Sequence, residues 1–267
     1  MMLAWIALLG VCVGVGTGLL GAGASILTVL LLVHVVGLPM ATAVTTSLVV
    51  VAATSTVALV PYSRAGHVMW RSGAAFSVAS MTGAFVGGRV SAWLPARALL
   101  VIFALAMVCA AVGMLRKAGA PPLGDRPSTP RMSWMAMAAA GLPLGGLTGL
   151  VGLGGGFAVL PMLVLWAGTP VRAAVGTTLL VVVMNTLAGL AGHFPHPAID
   201  WRLAGYLGVA ASAGSLLGAR LGRRIDTRTL RRAFGVLLLA VAIVLLGKAG
   251  YDRADGVPAP VRAKLAD

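Results

Sequence analysis

The chain contains no glutamate, and its six aspartates, at 125, 200, 226, 252, 255 and 267, all fall in loops, at span edges or in the tail. Proteins that move cations or relay protons across a bilayer usually place carboxylates within it, so the residues for that chemistry are missing. Charge of either sign is scarce. Only 10% of residues are charged and 59% are hydrophobic, against about 25% charged in a soluble domain, which excludes a soluble fold. The two cysteines, Cys12 and Cys109, lie inside apolar segments without metal-ligand spacing. No disulfide framework, metal or cofactor is expected from them. There is no GxxxxGK[ST] loop either, so nucleotide hydrolysis is not expected.

What the chain has in quantity is apolar length. Stretches of about 18 or more apolar residues recur along nearly all of it, each able to cross a hydrocarbon core roughly 30 Å thick. The pattern predicts an all-α, polytopic helical membrane protein. Twenty Lys and Arg give a net charge of +14; they sit mostly in loops between apolar segments, where lipid and topology account for them without nucleic acid. The opening run MMLAWIALLGVCVGVG has the apolar core of a signal peptide but not its basic flank, and reads as mature protein.

The sequence also repeats itself. Residues 10–103 align without a gap to 141–234, an offset of 131 with 28 identities in 94 columns. The rarer matches are Pro39 with Pro170, Trp70 with Trp201, Arg71 with Arg202, Arg89 with Arg220 and Arg97 with Arg228. The division is 1–117 for the first membrane repeat, 118–132 for a Pro-rich charged loop, 133–250 for the second repeat and 251–267 for a polar tail. Each half reads as an apolar stretch of some 35 residues broken at glycines (3–37 and 133–168), then three ordinary spans. Those spans are 41–62, 72–93 and 97–116 in one half and 171–192, 201–222 and 229–250 in the other, giving about eight hydrophobic segments.

Thirty-five residues of unbroken helix would run about 52 Å, too long for one upright crossing. Two short helices that meet near the midplane and return to the side they entered fit better, and the halves are then inverted repeats. This topology places thirteen basic residues on one side against seven on the other. By the positive-inside rule it sets the loop around Asp125 in the cytoplasm and both termini outside, in a multi-pass protein of the inner (cytoplasmic) membrane.

Two motifs recur at membrane depth in both halves. The first is glycine-rich, TGLLGAGAS at 17–25 and TGLVGLGGGF at 148–157, with Gly21, Gly23 and Ser25 in one half and Gly154, Gly155 and Gly156 in the other. Broken helix ends there expose N–H groups suited to an anion, although close helix packing through small residues is the simpler reading. The second motif carries Thr45, Thr46 and Ser47 after Pro39, and Thr177 and Thr178 after Pro170. These hydroxyls can donate to an anion without adding negative charge, or bond back to their own helix. Farther along stand Thr54, Ser55 and Thr56 in one half and Asn185 and Thr186 in the other, Asn185 being the most polar neutral side chain in any span. Hydroxyls, an amide, helix N-termini and no carboxylate point to a small anionic substrate. On this reading Thr177→Val weakens binding by about 1–3 kcal/mol, and Arg172 steers the anion at the entrance.

Other paired features read as structural. Gly83 with Gly87 and Gly214 with Gly218 have the spacing of helix contacts, and Trp70 and Trp201 suit an interfacial aromatic belt. His34, His67, His193 and His196 read as loop or edge residues, with a pH role for the last pair left open.

The runs GLVGLGGGFAVLPML at 149–163, TPVRAAVGTTLL at 169–180 and IDWRLAGYLGVAASAGSLLGARLGRRI at 199–225 resemble the TauE/SafE family of sulfite exporters and sulfonate permeases. The resemblance covers nearly the whole chain. It implies an integral membrane fold with an internal duplication and transport of sulfite, sulfoacetate or other organic anions. The first half departs from the pattern, with GAGAS in place of the triple glycine and Leu30 where the second half has Pro161. The alternatives are an intramembrane serine protease with Ser25 as nucleophile, or a membrane scaffold subunit without transport of its own. The protease reading is disfavoured because position 156 in the other half is glycine, so the chain reads as no enzyme.

Overall fold

The computed structural model describes residues 2–21, 28, 31–32, 35–91, 93, 96–117, 133–151, 156–192 and 199–254. Among them there are nine α-helices and no strand: α1 (Met2–Leu20), α2 (Met40–Arg64), α3 (Trp70–Ser91), α4 (Ala96–Lys117), α5 (Trp134–Val151), α6 (Gly156–Leu165), α7 (Val171–Gly192), α8 (Trp201–Arg224) and α9 (Thr227–Ala254). The all-helical expectation holds. All except α6 have 18 to 28 residues, about 27 Å or more at 1.5 Å per residue. The loop 118–132 and most of the tail lie outside the described residues, and α9 continues four residues past the expected boundary at 250.

Two helices, over Thr42–Arg64 and Val171–Ala191, are long and apolar enough to cross a membrane, with mean hydropathy 2.0 and 1.8. The outer faces of α3, α4, α8 and α9 carry exposed Val78, Phe85, Leu105, Val209, Leu217, Val236 and Ile243. An apolar surface of that extent suits lipid rather than water.

Local signals explain where the helices begin. Gly37 and Gly168 have φ of +75° and +63°, a backbone state that glycine enters without a Cβ penalty. Each precedes by two residues the proline, Pro39 or Pro170, that stands before the next helix. Asp200 caps α8 by accepting the Leu203 N–H at 3.0 Å.

The packing crosses between the halves. α1 lies along α8, and α5 lies along α3. A Cβ on Gly14 would run into the carbonyl oxygen of Ala211, and one on Gly145 into that of Ser80. Likewise a Cβ on Gly214 would strike the Val11 carbonyl and one on Gly83 the Leu142 carbonyl. Each of these contacts has its counterpart at the 131-residue offset. Only glycine lets the backbones come so near, and lipid-embedded helices gain van der Waals contact from the approach.

At the centre, α2 and α7 run antiparallel. Gly189 stands beside Leu48, buried Val51 packs on buried Val182, and Gly176 stands beside Tyr62, so ascending positions on α2 meet descending ones on α7. Val51 and Val182 are themselves 131 residues apart.

The glycine-broken stretch of the second half contributes two helices, α5 and α6, and residues 152–155 between them lie outside the described residues. Ala140, Pro143 and Leu144 of α5 line one cavity, of about 380 Å³, with Pro161, Met162 and Leu165 of α6, and a straight continuation would carry those residues far apart. The limbs are unequal, however. α5 has 18 residues and α6 only 10, so α5 alone, at about 27 Å, spans most of a bilayer core instead of half of it.

Candidate functional site

The hydroxyl motif divides into residues that hold the backbone and residues that do not. Thr45 donates to Thr42 O at 3.2 Å and Ser47 to Val44 O at 2.7 Å, both on their own helix. Thr46 and Thr177 reach across the halves. Thr46 Oγ1 accepts the Asp200 N–H at 3.2 Å. Thr177 Oγ1 accepts the Met69 N–H at 3.1 Å while donating to Ala173 O at 2.7 Å. Met69 and Asp200 each precede the tryptophan that opens a helix, so each threonine ties down the start of a helix in the other half. Both are fully buried, and an unpaired N–H there would be costly.

Thr178 behaves differently. It is fully buried, and its hydroxyl has no hydrogen-bond partner. Gly21, at the end of α1 with φ +71°, lies against it: a Cβ there would sit 3.5 Å from Thr178 Cγ2. Two of the expected residues, one from each half, are therefore brought together. Asn185 donates through Nδ2 to Ser80 Oγ at 3.4 Å, which joins α7 to α3, and its buried Oδ1 has no partner. Gly156 opens α6. Gly23, Ser25, Gly154 and Gly155 lie outside the described residues.

Two residues of this region were not among the expected site residues, although Ser55 was noted with Thr54 and Thr56. Ser55 on α2 is fully buried with an unpartnered hydroxyl. Tyr62, seven residues on and on the same face of α2, donates to Gly18 O at 3.1 Å and so anchors the end of α1. The spacing of Val51, Ser55, Ala58 and Tyr62 was the available signal, a helical stripe that carries two hydroxyls in an otherwise apolar row.

Arg172 donates through Nη2 to Ile225 O at 3.3 Å, which fastens α7 to the turn between α8 and α9. His193 and His196 lie outside the described residues. Among those described, no group of three or more His, Cys, Asp or Glu side chains could hold a metal ion.

Comparison with known proteins settles the class. The model of the family described as sulfite exporter TauE/SafE matches residues 6–245. The chain belongs to the TauE/SafE family. A probable membrane transporter protein of Xylella fastidiosa (strain 9a5c) is 33% identical over 240 residues, 89% of this chain and 92% of that one. The probable membrane transporter protein YunE of Bacillus subtilis (strain 168) is 26% identical over 220 residues, 77% and 78% of the two chains. No solved structure matches the chain. TauE/SafE membership makes it a membrane transporter and not an enzyme, and the protease alternative is set aside.

Proposed function

We propose that the protein carries a small oxyanion or organosulfonate, such as sulfite or sulfoacetate, across the cytoplasmic membrane as a multi-pass carrier. The observation that carries this reading is the packing of Gly21 against the side chain of buried Thr178, whose hydroxyl has no partner, made by opposite halves. Donors held at depth in a chain whose helices α1 to α8 contain no acidic side chain suit an anion and offer a cation nothing. The site then comprises Gly21, Gly23, Ser25, Gly154, Gly155, Gly156 and Thr178, with Asn185 farther along α7. Thr45, Thr46, Ser47 and Thr177 hold the surrounding backbone.

The two halves act as inverted repeats that rock about a fixed site. The antiparallel α2 and α7, and the recurrence of contacts at one offset, support this arrangement. Reconstitution in liposomes with a panel of sulfite, thiosulfate, sulfate and sulfonates tests the reading. Saturable uptake of at least one of these anions is expected, and no uptake of any would refute it.

A further inference from the structure

Ser55 and Thr178 lie on the facing sides of α2 and α7. On α2, Val51, Ser55 and Tyr62 lie at helical spacing along one face, and on α7 so do Thr178 and Val182. Val51 packs on Val182. Ser55 stands one turn along α2 from Val51 and Thr178 one turn back along α7 from Val182, so in the antiparallel pair they share a level. Tyr62 holds the Gly18 carbonyl and Thr178 touches Gly21, so the end of α1 closes the seam from a third side. Both hydroxyls are fully buried, and neither has a partner.

Their counterparts at the 131-residue offset, Thr186 and Ser47, differ. Thr186 donates to Val182 O at 2.7 Å and Ser47 to Val44 O at 2.7 Å. Only one of the two hydroxyl pairs along this seam is therefore left to serve something other than its own helix.

The charged and titratable groups nearby are placed elsewhere. Arg172 is fastened to Ile225 O. Arg231, the only charged side chain buried among the described residues, stands one helical turn from Gly235, whose face meets Leu115 and Ala111 of α4. The His67 carbonyl lies against Gly176, about 200° around α7 from Thr178 at 100° per residue.

We propose that Ser55 and Thr178, beside Gly21, are the paired donors of a charge-neutral site that takes a monoanionic oxyanion and rejects dianions. This rests on the transport reading above and narrows its substrate class to monoanions such as hydrogensulfite and alkanesulfonates, setting aside sulfoacetate, whose sulfonate and carboxylate are both ionised at neutral pH. The self-energy of a buried ion grows with the square of its charge, so a dianion costs about four times as much to desolvate as a monoanion. Two hydroxyl donors and backbone dipoles can offset one charge in such a setting. With no cation among the described residues of the seam, nothing there offsets the second.

Methanesulfonate and sulfate test this, since both are compact sulfur-centred oxyanions and they differ in charge. With the full chain in liposomes, saturable methanesulfonate uptake is expected, with sulfate at equal concentration neither carried nor competing. Ser55→Ala and Thr178→Val should each raise the apparent KM for methanesulfonate about tenfold or more, and Thr178→Ser, which keeps the hydroxyl, should raise it less than Thr178→Val does. Sulfate competing as well as methanesulfonate would overturn the inference while leaving anion transport standing, as would wild-type KM in both hydroxyl-free variants. If Thr178→Val fails to insert, Ser55→Ala decides alone. Absence of flux for every anion would overturn the transport reading and this inference with it.

Discussion

The Thr177 hydroxyl accepts the backbone N–H of Met69 at 3.1 Å, so a side chain of the second half closes the start of a helix in the first. Thr46 does the same for Asp200 in the opposite direction, at 3.2 Å. These two bonds separate stability from transport within a single motif.

Thr177→Val and Thr46→Val should each lower stability by about 1–3 kcal/mol, the cost of leaving a buried N–H without an acceptor. The apparent affinity for substrate should change little, in contrast to the binding loss expected from the sequence for Thr177. Thermal unfolding in detergent beside transport kinetics separates the two. A weakened KM at unchanged stability would return Thr177 to the binding site.

The glycine contacts predict a sharp ordering of alanine variants. Gly14→Ala and Gly145→Ala place a Cβ against the backbone of a facing helix and should prevent monodisperse folding. Gly205→Ala, with nothing within 4 Å of the added Cβ, should be neutral or stabilise by up to about 1 kcal/mol through helix propensity. Size-exclusion profiles after membrane extraction rank them, and a well-behaved Gly14→Ala would contradict the packing.

Gly155→Val should abolish transport in a protein that still inserts, because a branched side chain removes the close backbone approach that an anion needs. Gly21→Ala should impair transport for a related reason. Its φ of +71° is strained for alanine by roughly 1 kcal/mol, and the end of α1 beside Thr178 would shift. Uptake normalised to membrane abundance measures both, and wild-type rates would remove the glycine breaks from the site.

The loop around Asp125 is expected in the cytoplasm, with both termini outside. Single cysteines placed in the loop and in the tail, in a background with Cys12 and Cys109 removed, report this through an impermeant thiol reagent. Loop labelling from outside the intact cell would invert the topology.

Much of the architecture was legible because it is written in strong, local signals. Apolar length gave the helices, and Pro39, Pro170, Trp70 and Trp201 stand at or next to their first residues. The pairing of Gly83, Gly214 and Gly218 with facing backbone was likewise readable from their spacing. The site was less so. Helix periodicity places Thr177 and Thr178 side by side yet cannot say which neighbour each one meets, and that depends on where Met69 and Gly21 arrive from the other half. Ser55 was noted but not set apart from Thr54 and Thr56, since a hydroxyl in a membrane helix usually bonds to its own backbone. The unequal limbs of α5 and α6 were also illegible, because composition fixes the total apolar length and not where the turn falls.

The exchange of helices between halves bears on how the protein is made. Gly14 meets Ala211 across nearly two hundred residues of chain. At roughly 5–20 residues per second, the ribosome needs about 10–40 seconds to reach α8 after α1 has left it. During that interval α1 rests in the bilayer with its glycine face against lipid or the insertion machinery. The first half therefore cannot complete its own packing before the second is synthesised, and a chain truncated after α4 would present an unmatched glycine face to cellular quality control.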